Sequence, residues 1–473
     1  MLYFLARNCS FTPQNPRNSS YCFIHDASPE GFIPKDALSC QMDLDIFLNA
    51  KPGASSCGRL WIHCPTRNIS GQELADAMFA WPCETVPVSG DRDLLENLLA
   101  AGVPHVAIKG NESSGLVGRE SLGILFSLFR GKKAKISVWG GIALPEAAAA
   151  FLATGADSIV FESVHALCGE PTPELATRIR ALRITDFKEI GRRLDPEGRS
   201  SGLCLRAFDR GNNSVVRALL GREEELIRSN TENAFPLLEK FARDSAIVLP
   251  ESSLKKDELV FLGPEAAFAQ HFCLRFGSDP NMALDAFVRE VFSAWSVAPQ
   301  KIAAAFDRDK TRFLTGCSLP FIQGAMTWIT DIPELAKTIN ENGALPSLAL
   351  GPRSPSELQR DFGSLQEIMG ELPYAVNILV LPENPYREEQ LEWIEQNRPA
   401  FVTIAAGDPA FTRRLAGKGL KVLCHVQDES LLSLALEAGA WGVILEGNEA
   451  GGHVGEQTTL TLAQMAMRWR HNH

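Results

Sequence analysis

The chain has no uninterrupted apolar run near the roughly 18–20 residues that a membrane helix needs. Its richest stretch, 143–161, is broken by Glu146 and Asp157, so no membrane span or membrane partner is expected. It also lacks positive charge: 46 Lys and Arg stand against 57 Asp and Glu, a formal net charge of −11. That balance repels phosphate backbones, and no nucleic-acid partner is expected. The eleven cysteines contain no Cys-x-x-Cys pair, so they read as buried thiols, and neither a disulfide framework nor a metal site is expected. No basic residue precedes the short apolar start Met1-Leu2-Tyr3-Phe4-Leu5-Ala6. A secretory leader is therefore not expected, and the cytoplasm is the expected compartment.

What is present is a chain of 473 residues, 45% apolar and 22% charged, which is the composition of a large globular protein. Short apolar runs at 60–63, 106–108, 136–138 and 159–161, then at 345–350, 376–380, 401–405, 422–426 and 443–445, alternate with amphipathic segments. Alternation of this kind predicts parallel strands joined by crossover helices. Segments 84–118 and 421–455 superpose without a gap at an offset of 337, and 13 of the 35 pairs are identical. The identities include Asp91/Asp428, Ala101-Gly102/Ala438-Gly439 and Gly110-Asn111-Glu112/Gly447-Asn448-Glu449. An offset that long exceeds any solenoid period and suits a duplicated (β/α)8 unit with a modest insertion. The expected organisation is a first barrel copy over 1–190, a helical connector over 191–313 and a second copy over 314–473. Because an offset of 337 puts the partner of Gln323 before Met1 and that of Gly140 beyond His473, both copies are expected to be incomplete. In the first the opening strand would be absent or rebuilt, and the second would lack its last two.

The sharpest local signal is Glu446-Gly447-Asn448-Glu449-Ala450-Gly451-Gly452-His453, directly after the apolar run Val443-Ile444-Leu445. Chemistry at a barrel sits at the carboxyl ends of its strands. Gly451 and Gly452 remove side chains where a planar ligand approaches the backbone, and they deliver the His453 imidazole as a candidate general acid or base. His63 and His425 lie in strands without ligand-spaced neighbours and read as core or strand-end residues.

These residues resemble the nitronate monooxygenase family of FMN-dependent TIM barrels, which also holds flavin enoyl-thioester reductases and barrel domains of polyketide synthases. Three elements carry the likeness: the string ending in Gly451-Gly452-His453, the segment Pro320-Phe321-Ile322-Gln323-Gly324-Ala325-Met326, similar to a first barrel strand, and Val376-Asn377-Ile378, similar to a third. The resemblance implies FMN as cofactor, held by Gln323, Gly324, Met326, Asn377, Glu446, Gly451 and Gly452, with His453 catalytic. In the first copy, Trp139-Gly140-Gly141-Ile142 resembles the family's phosphate-binding turn, whose free backbone N–H groups suit an FMN phosphate. It further implies a flavin-dependent oxidoreductase acting on a small molecule or an acyl thioester, with an acyl carrier protein as candidate partner. The tandem arrangement resembles the amino-terminal region of large polyketide synthases. Two departures stand out. Leu116 occupies the first copy's counterpart of His453, which marks that copy as a catalytic relic. Glu446 stands where many members carry Gln, and placing a carboxylate against an electron-rich ring calls for protonation or an Arg partner. Three alternatives remain open: a decayed barrel scaffold, a phosphate-binding barrel without flavin such as a dehydrogenase or lyase relative, and a mixed barrel in which the second copy borrows strands seven and eight from the first.

Overall fold

The computed structural model describes residues 1–5, 21–26, 39–50, 57–64, 69–164, 173–194, 203–231, 234–247, 254–277, 279–405, 409–451 and 455–472. It divides into two compact units, Met1–Ala298 and Pro299–His473.

In the first unit, strands β1 (Leu2–Leu5), β2 (Tyr21–Asp26), β3 (Ser39–Asp43), β4 (Arg59–His63), β5 (Glu84–Ser89) and β6 (His105–Lys109) run parallel. The chain then leaves the barrel for β7 (Gly115–Val117) and returns for β8 (Lys135–Trp139) and β9 (Ser158–Phe161). β9 pairs with β1, Leu2 opposite Ile159, and the eight strands close into a barrel. Two expectations are thereby corrected: the first copy is complete, its first strand being β1, and β8 and β9 close on their own barrel, which excludes the borrowed-strand arrangement.

The barrel is filled rather than hollow. Tyr3, Ile24, Trp61, Val86, Val88, Ala107, Trp139 and Val160 form one buried cluster inside it. Trp61 and Trp139 meet edge to face with ring centroids 5.4 Å apart. Each buried indole contributes roughly 4–6 kcal/mol of transfer free energy, from about 150–250 Å² at about 25 cal/mol per Å². Below this layer lies a polar belt at the amino ends of the strands. The His105 ring joins Glu84 (Nδ1 to Oε1, 2.8 Å) to Ser137 (Nε2 to Oγ, 2.7 Å), and Arg59 pairs with Glu84 at 2.6 Å. Hydrogen bonding to His105 and pairing with Arg59 hold the Glu84 carboxyl down at about 2. This serine–histidine–carboxylate chain has the order of a catalytic triad, yet His105 and Ser137 are fully buried at the end of the barrel where residues serve stability, so its role is structural.

The stretch expected as a helical connector also contributes sheet. β10 (Phe187–Ile190) and β11 (Cys204–Phe208) join β7 in an antiparallel three-stranded sheet of order β10-β11-β7. Helices Ser214–Arg228 and Ala234–Ser245 pack on it through Val216, Leu219, Leu226, Leu238 and Ala242. The division between units falls inside helix Pro280–Ala305, at Pro299.

The second unit is an open parallel sheet: β12 (Ser347–Ala349), β13 (Ala375–Leu379), β14 (Phe401–Ala405), β15 (Val422–Val426) and β16 (Gly442–Leu445), in that order. The segment expected as a first strand is reduced to one parallel bridge, Ile322 to Leu345, beside β12. The repeat offset carries β5 onto β15 and β6 onto β16, which makes the latter two the fifth and sixth strands of a barrel plan. Earlier strands do not keep that spacing: the same offset carries Arg59, the start of β4, onto Gln396 inside helix Arg387–Asn397, whereas β14 opens at Phe401. Loops of unequal length shift the register toward the amino terminus, which is why a fixed offset misplaced the first strand. Among the described residues the second unit has no seventh or eighth strand. No helix of the described residues is long and apolar enough to cross a membrane, and none of the described cysteines forms a disulfide.

Candidate functional site

In the second unit, alternation along the strands sorts side chains onto two faces. Leu348, Val376, Ile378, Val402, Ile404, Val422, Cys424 and Val426 pack against the helices. The opposite face has two layers. Nearest the strand starts it is apolar, with Leu345, Ala375, Phe401, Leu423 and Ile444. One step toward the carboxyl ends it turns polar, carrying Ser347, Asn377, Thr403, His425 and Glu446. In a closed barrel this face would be the lumen, so the polar layer lies where barrel chemistry is done.

Several predicted residues meet in that layer. Asn377 Nδ2 donates to Thr403 Oγ1 at 3.0 Å. Gln323 accepts from the Ser347 backbone N–H through Oε1 at 2.9 Å and donates to the Gly324 carbonyl, which ties the bridge segment to β12. Glu446 is paired with His425 (Oε2 to Nδ1, 3.0 Å), so the partner its carboxylate called for is an imidazole on the next strand rather than an arginine. Met326 is 47% exposed. The backbone that follows it is pinned by buried Arg353, which pairs with Asp331 and Asp361 and lies 4.3 Å from the Trp328 ring centroid. Gly324 and Gly451 have open space where a Cβ would stand. Gly452 and His453 lie outside the described residues.

Sequence reading missed Ser347 and Thr403. The Ser347 hydroxyl is buried and has no hydrogen-bond partner, an arrangement that a ligand's polar edge would complete. The alternation Leu345, Ser347, Ala349 was the available signal. The ring-facing groups of this layer thus fit a flavin's polar edge. The phosphate is another matter, because the strand-end glycine turn proposed for it lies in the first unit.

That turn is already filled. Gly140 and Gly141 follow β8 with φ of +71° and +70°. A Cβ on Gly140 would stand 2.4 Å from Ser113 Oγ and 2.6 Å from Glu162 Oε2, and one on Gly141 would stand 2.7 Å from Glu112 Cβ. Glu162 accepts from Ser114 N at 2.7 Å and from Trp139 Nε1 at 2.9 Å, and Lys109 Nζ is 3.4 Å from it. Glu265 accepts from Ser163 N at 2.6 Å. Burial, and next the charge of Glu162, push the Glu265 carboxyl up to about 8. Leu116 lies on β7 opposite Leu205 of β11, so the counterpart of the Gly-Gly-His loop is here a strand of the covering sheet. A cavity of about 120 Å³ remains beneath that sheet, lined among others by His63, Ser89, Lys109, Leu116 and Arg243. His63 bonds Gln41 Oε1 at 2.9 Å and meets the Trp139 ring edge to face. No group of three metal-ligating side chains occurs among the described residues.

The repeated segment shares a set of hydrogen bonds in both units. Asp91 Oδ1 accepts from Leu94 N, and Asp428 Oδ1 from Leu431 N, each capping a helix. Asn111 N donates to Glu120 O at 3.0 Å, and Asn448 N to Gln457 O at 2.8 Å. Glu112 Oε2 accepts from Leu122 N at 2.9 Å, and Glu449 Oε2 from Thr459 N at 2.8 Å. Each of these donors and acceptors in the first unit maps onto its counterpart in the second by the one repeat offset. The shared Gly-Asn-Glu is therefore a device that turns the strand end back onto the next helix, and it is not itself a ligand site.

No family profile matches the chain. A curated relative, a probable nitronate monooxygenase of Staphylococcus saprophyticus, is 29% identical over 177 residues, covering 30% of this chain and 49% of the relative. The chain thus spans about half the length of the curated relative it matches. Among solved structures, a FabK variant of Thermotoga maritima is 31% identical over 34% of this chain and 53% of its own, with a TM-score of 0.31. Unaltered FabK of Thermotoga maritima is 14% identical over 60% and 79%, with a TM-score of 0.41. The enoyl reductase domain of MlnA, from the macrolactin cluster of Bacillus amyloliquefaciens, is 12% identical over 60% and 84%, with a TM-score of 0.35.

Proposed function

We propose that the chain is a flavin-dependent oxidoreductase of the nitronate monooxygenase type, built from a duplicated barrel whose second copy holds the chemistry. The observation that carries this reading is the polar layer of the second unit, with its orphaned Ser347 hydroxyl beside Gln323. Gln323, Gly324, Met326, Asn377, Glu446, Gly451 and Gly452 would hold FMN, which supplies electron transfer when bound. The His425 imidazole hydrogen-bonds Glu446 and so occupies one of its carboxylate oxygens. His453 would take a proton from the carbon next to a nitro group, or give one to the reduced product of an enoyl thioester. A small molecule or a carrier-bound acyl thioester is the substrate class. An acyl carrier protein within a cytoplasmic polyketide synthase is the corresponding partner.

A second reading applies to the first unit alone. Its filled strand ends and Leu116 favour a barrel that serves as scaffold and performs no chemistry.

The test is a visible spectrum of the purified full chain, followed by titration with FMN. Absorption in the blue, or a saturable spectral shift on adding FMN, is expected. A colourless protein that leaves the FMN spectrum unchanged would overturn the proposal.

A further inference from the structure

We infer that Glu265 is a built-in stand-in for phosphate: its carboxyl occupies the backbone N–H cradle at the ends of β8 and β9, and so closes the first barrel to phosphate-bearing cofactors. This goes beyond the function proposed above, since it concerns only the first unit.

Loops after the seventh and eighth strands of a (β/α)8 barrel, together with the start of a short extra helix, form a recurrent phosphate site. Here each part is present. The consecutive left-handed glycines Gly140 and Gly141 lead into Ile142, whose backbone N–H favours the charged form of Glu265. Ser163 follows β9 and offers a second N–H. Both act on Glu265, Ser163 N at 2.6 Å from Oε1. The extra helix is present too, as the 3-10 turn Pro264–Phe268, but it inserts a side chain instead of presenting an empty amino end.

The insertion is anchored rather than incidental. Pro264, Glu265, Ala266, Ala267 and Phe268 are all buried. Gly263 lies so close to the Glu112–Ser113 turn that a Cβ would stand 2.5 Å from Glu112 O. Glu112 and Glu162, both about 1% exposed, line the adjoining space. A phosphate dianion would therefore meet two further carboxylates, with Lys109 the cation already engaged by Glu162. Burial and Glu162 favour the neutral acid of Glu265, which limits the charge gathered there.

The test uses the full chain with inorganic phosphate as probe and hydrogen exchange at the Ile142 and Ser163 amides as readout. In the unaltered protein both amides should be protected, and phosphate at millimolar concentration should change neither, compared with chloride at equal ionic strength. In Glu265→Ala both should exchange at least 10-fold faster and regain protection saturably on adding phosphate. Glu265→Gln, which keeps the acceptor oxygen, should behave as the unaltered chain. Should Glu265→Ala not fold, Glu265→Asp, one methylene shorter, gives the same readout. The inference is overturned if phosphate adds protection to the unaltered protein, or if a folded Ala or Asp variant gains none. Neither result depends on FMN binding in the second unit.

Discussion

The two units start from the same local instructions and end differently. In both, an aspartate caps a helix, that helix ends at a glycine with φ of +89°, and Gly-Asn-Glu folds the following strand end onto the next helix. In the first unit two more strands follow and the sheet closes, while β7, β11 and the Pro264–Phe268 turn cover and fill its mouth. In the second unit the sheet stays open among the described residues, and the layer bearing Ser347, Asn377, Thr403, His425 and Glu446 lines one face. On the function proposed above, closure and chemistry have parted company. The closed barrel carries Leu116 in a strand of its covering sheet and buried carboxylates at its mouth, whereas the open sheet carries the polar layer proposed to meet a flavin.

The largest expected effect tests that division of labour. His453→Ala should lower turnover by roughly 10²–10⁴-fold, the range for removing a general acid or base. Leu116→His, which restores an imidazole to the first unit, should change turnover by less than about 2-fold, because that position pairs with Leu205 in the covering sheet. Steady-state assays with a nitronate and with an enoyl thioester check both. Equal losses from the two substitutions would break the contrast.

How much of this was legible in the sequence depends on range. The (β/α) alternation, the repeat and the Gly-Asn-Glu correspondence rest on local periodicity and turn chemistry, and the turn's hydrogen bonds recur in the second unit at the repeat offset. The completeness of the first barrel was not legible, because its first strand, Leu2–Leu5, is four residues long and unequal loops move it off the offset. Glu265 was also hidden. Its partners Ser163 and Glu162 lie far upstream in the chain, and nothing in Gly-Pro-Glu marks a carboxyl bound for the far end of a barrel. The Glu446–His425 pair spans adjacent strands 21 residues apart, a contact that strand register sets and neither local segment announces. Ser347, by contrast, could have been found by carrying the alternation one strand further.

A middle-sized effect asks whether the shared turn matters equally in both settings. A Cβ on Gly110 would stand 2.4 Å from Leu122 N, and one on Gly447 would stand 2.3 Å from Thr459 N, each against backbone. Gly110→Ala and Gly447→Ala should each destabilise their own unit by about 1–3 kcal/mol, the usual cost of overpacking. Denaturant titration followed by hydrogen exchange in each unit measures this. A loss confined to the closed barrel would mean that the open unit relaxes around the same clash, and the likeness of the two turns would then be one of form only.

The last contrast is in pH dependence, where two carboxyls within the first barrel act with opposite signs. Glu84, held at about 2 by His105 and Arg59 against about 4.3 in an unfolded chain, is ionised in the fold at a pH where the unfolded chain takes up a proton. Its stabilisation is complete above about 4.3 and is lost as pH falls toward 2. Glu265, raised to about 8 by burial and Glu162, keeps its proton in the fold while the unfolded chain releases it above about 4.3. Its contribution is therefore complete at low pH, declines as pH rises toward 8, and is flat beyond. Unfolding midpoints measured from pH 2 to 9 should show an acid-side fall that is smaller in Glu84→Gln and a decline through neutrality that is lost in Glu265→Gln. If Glu265→Gln left the neutral-range slope intact, the carboxyl would be ionised in the folded barrel at pH 7, and the filled mouth would carry an additional negative charge.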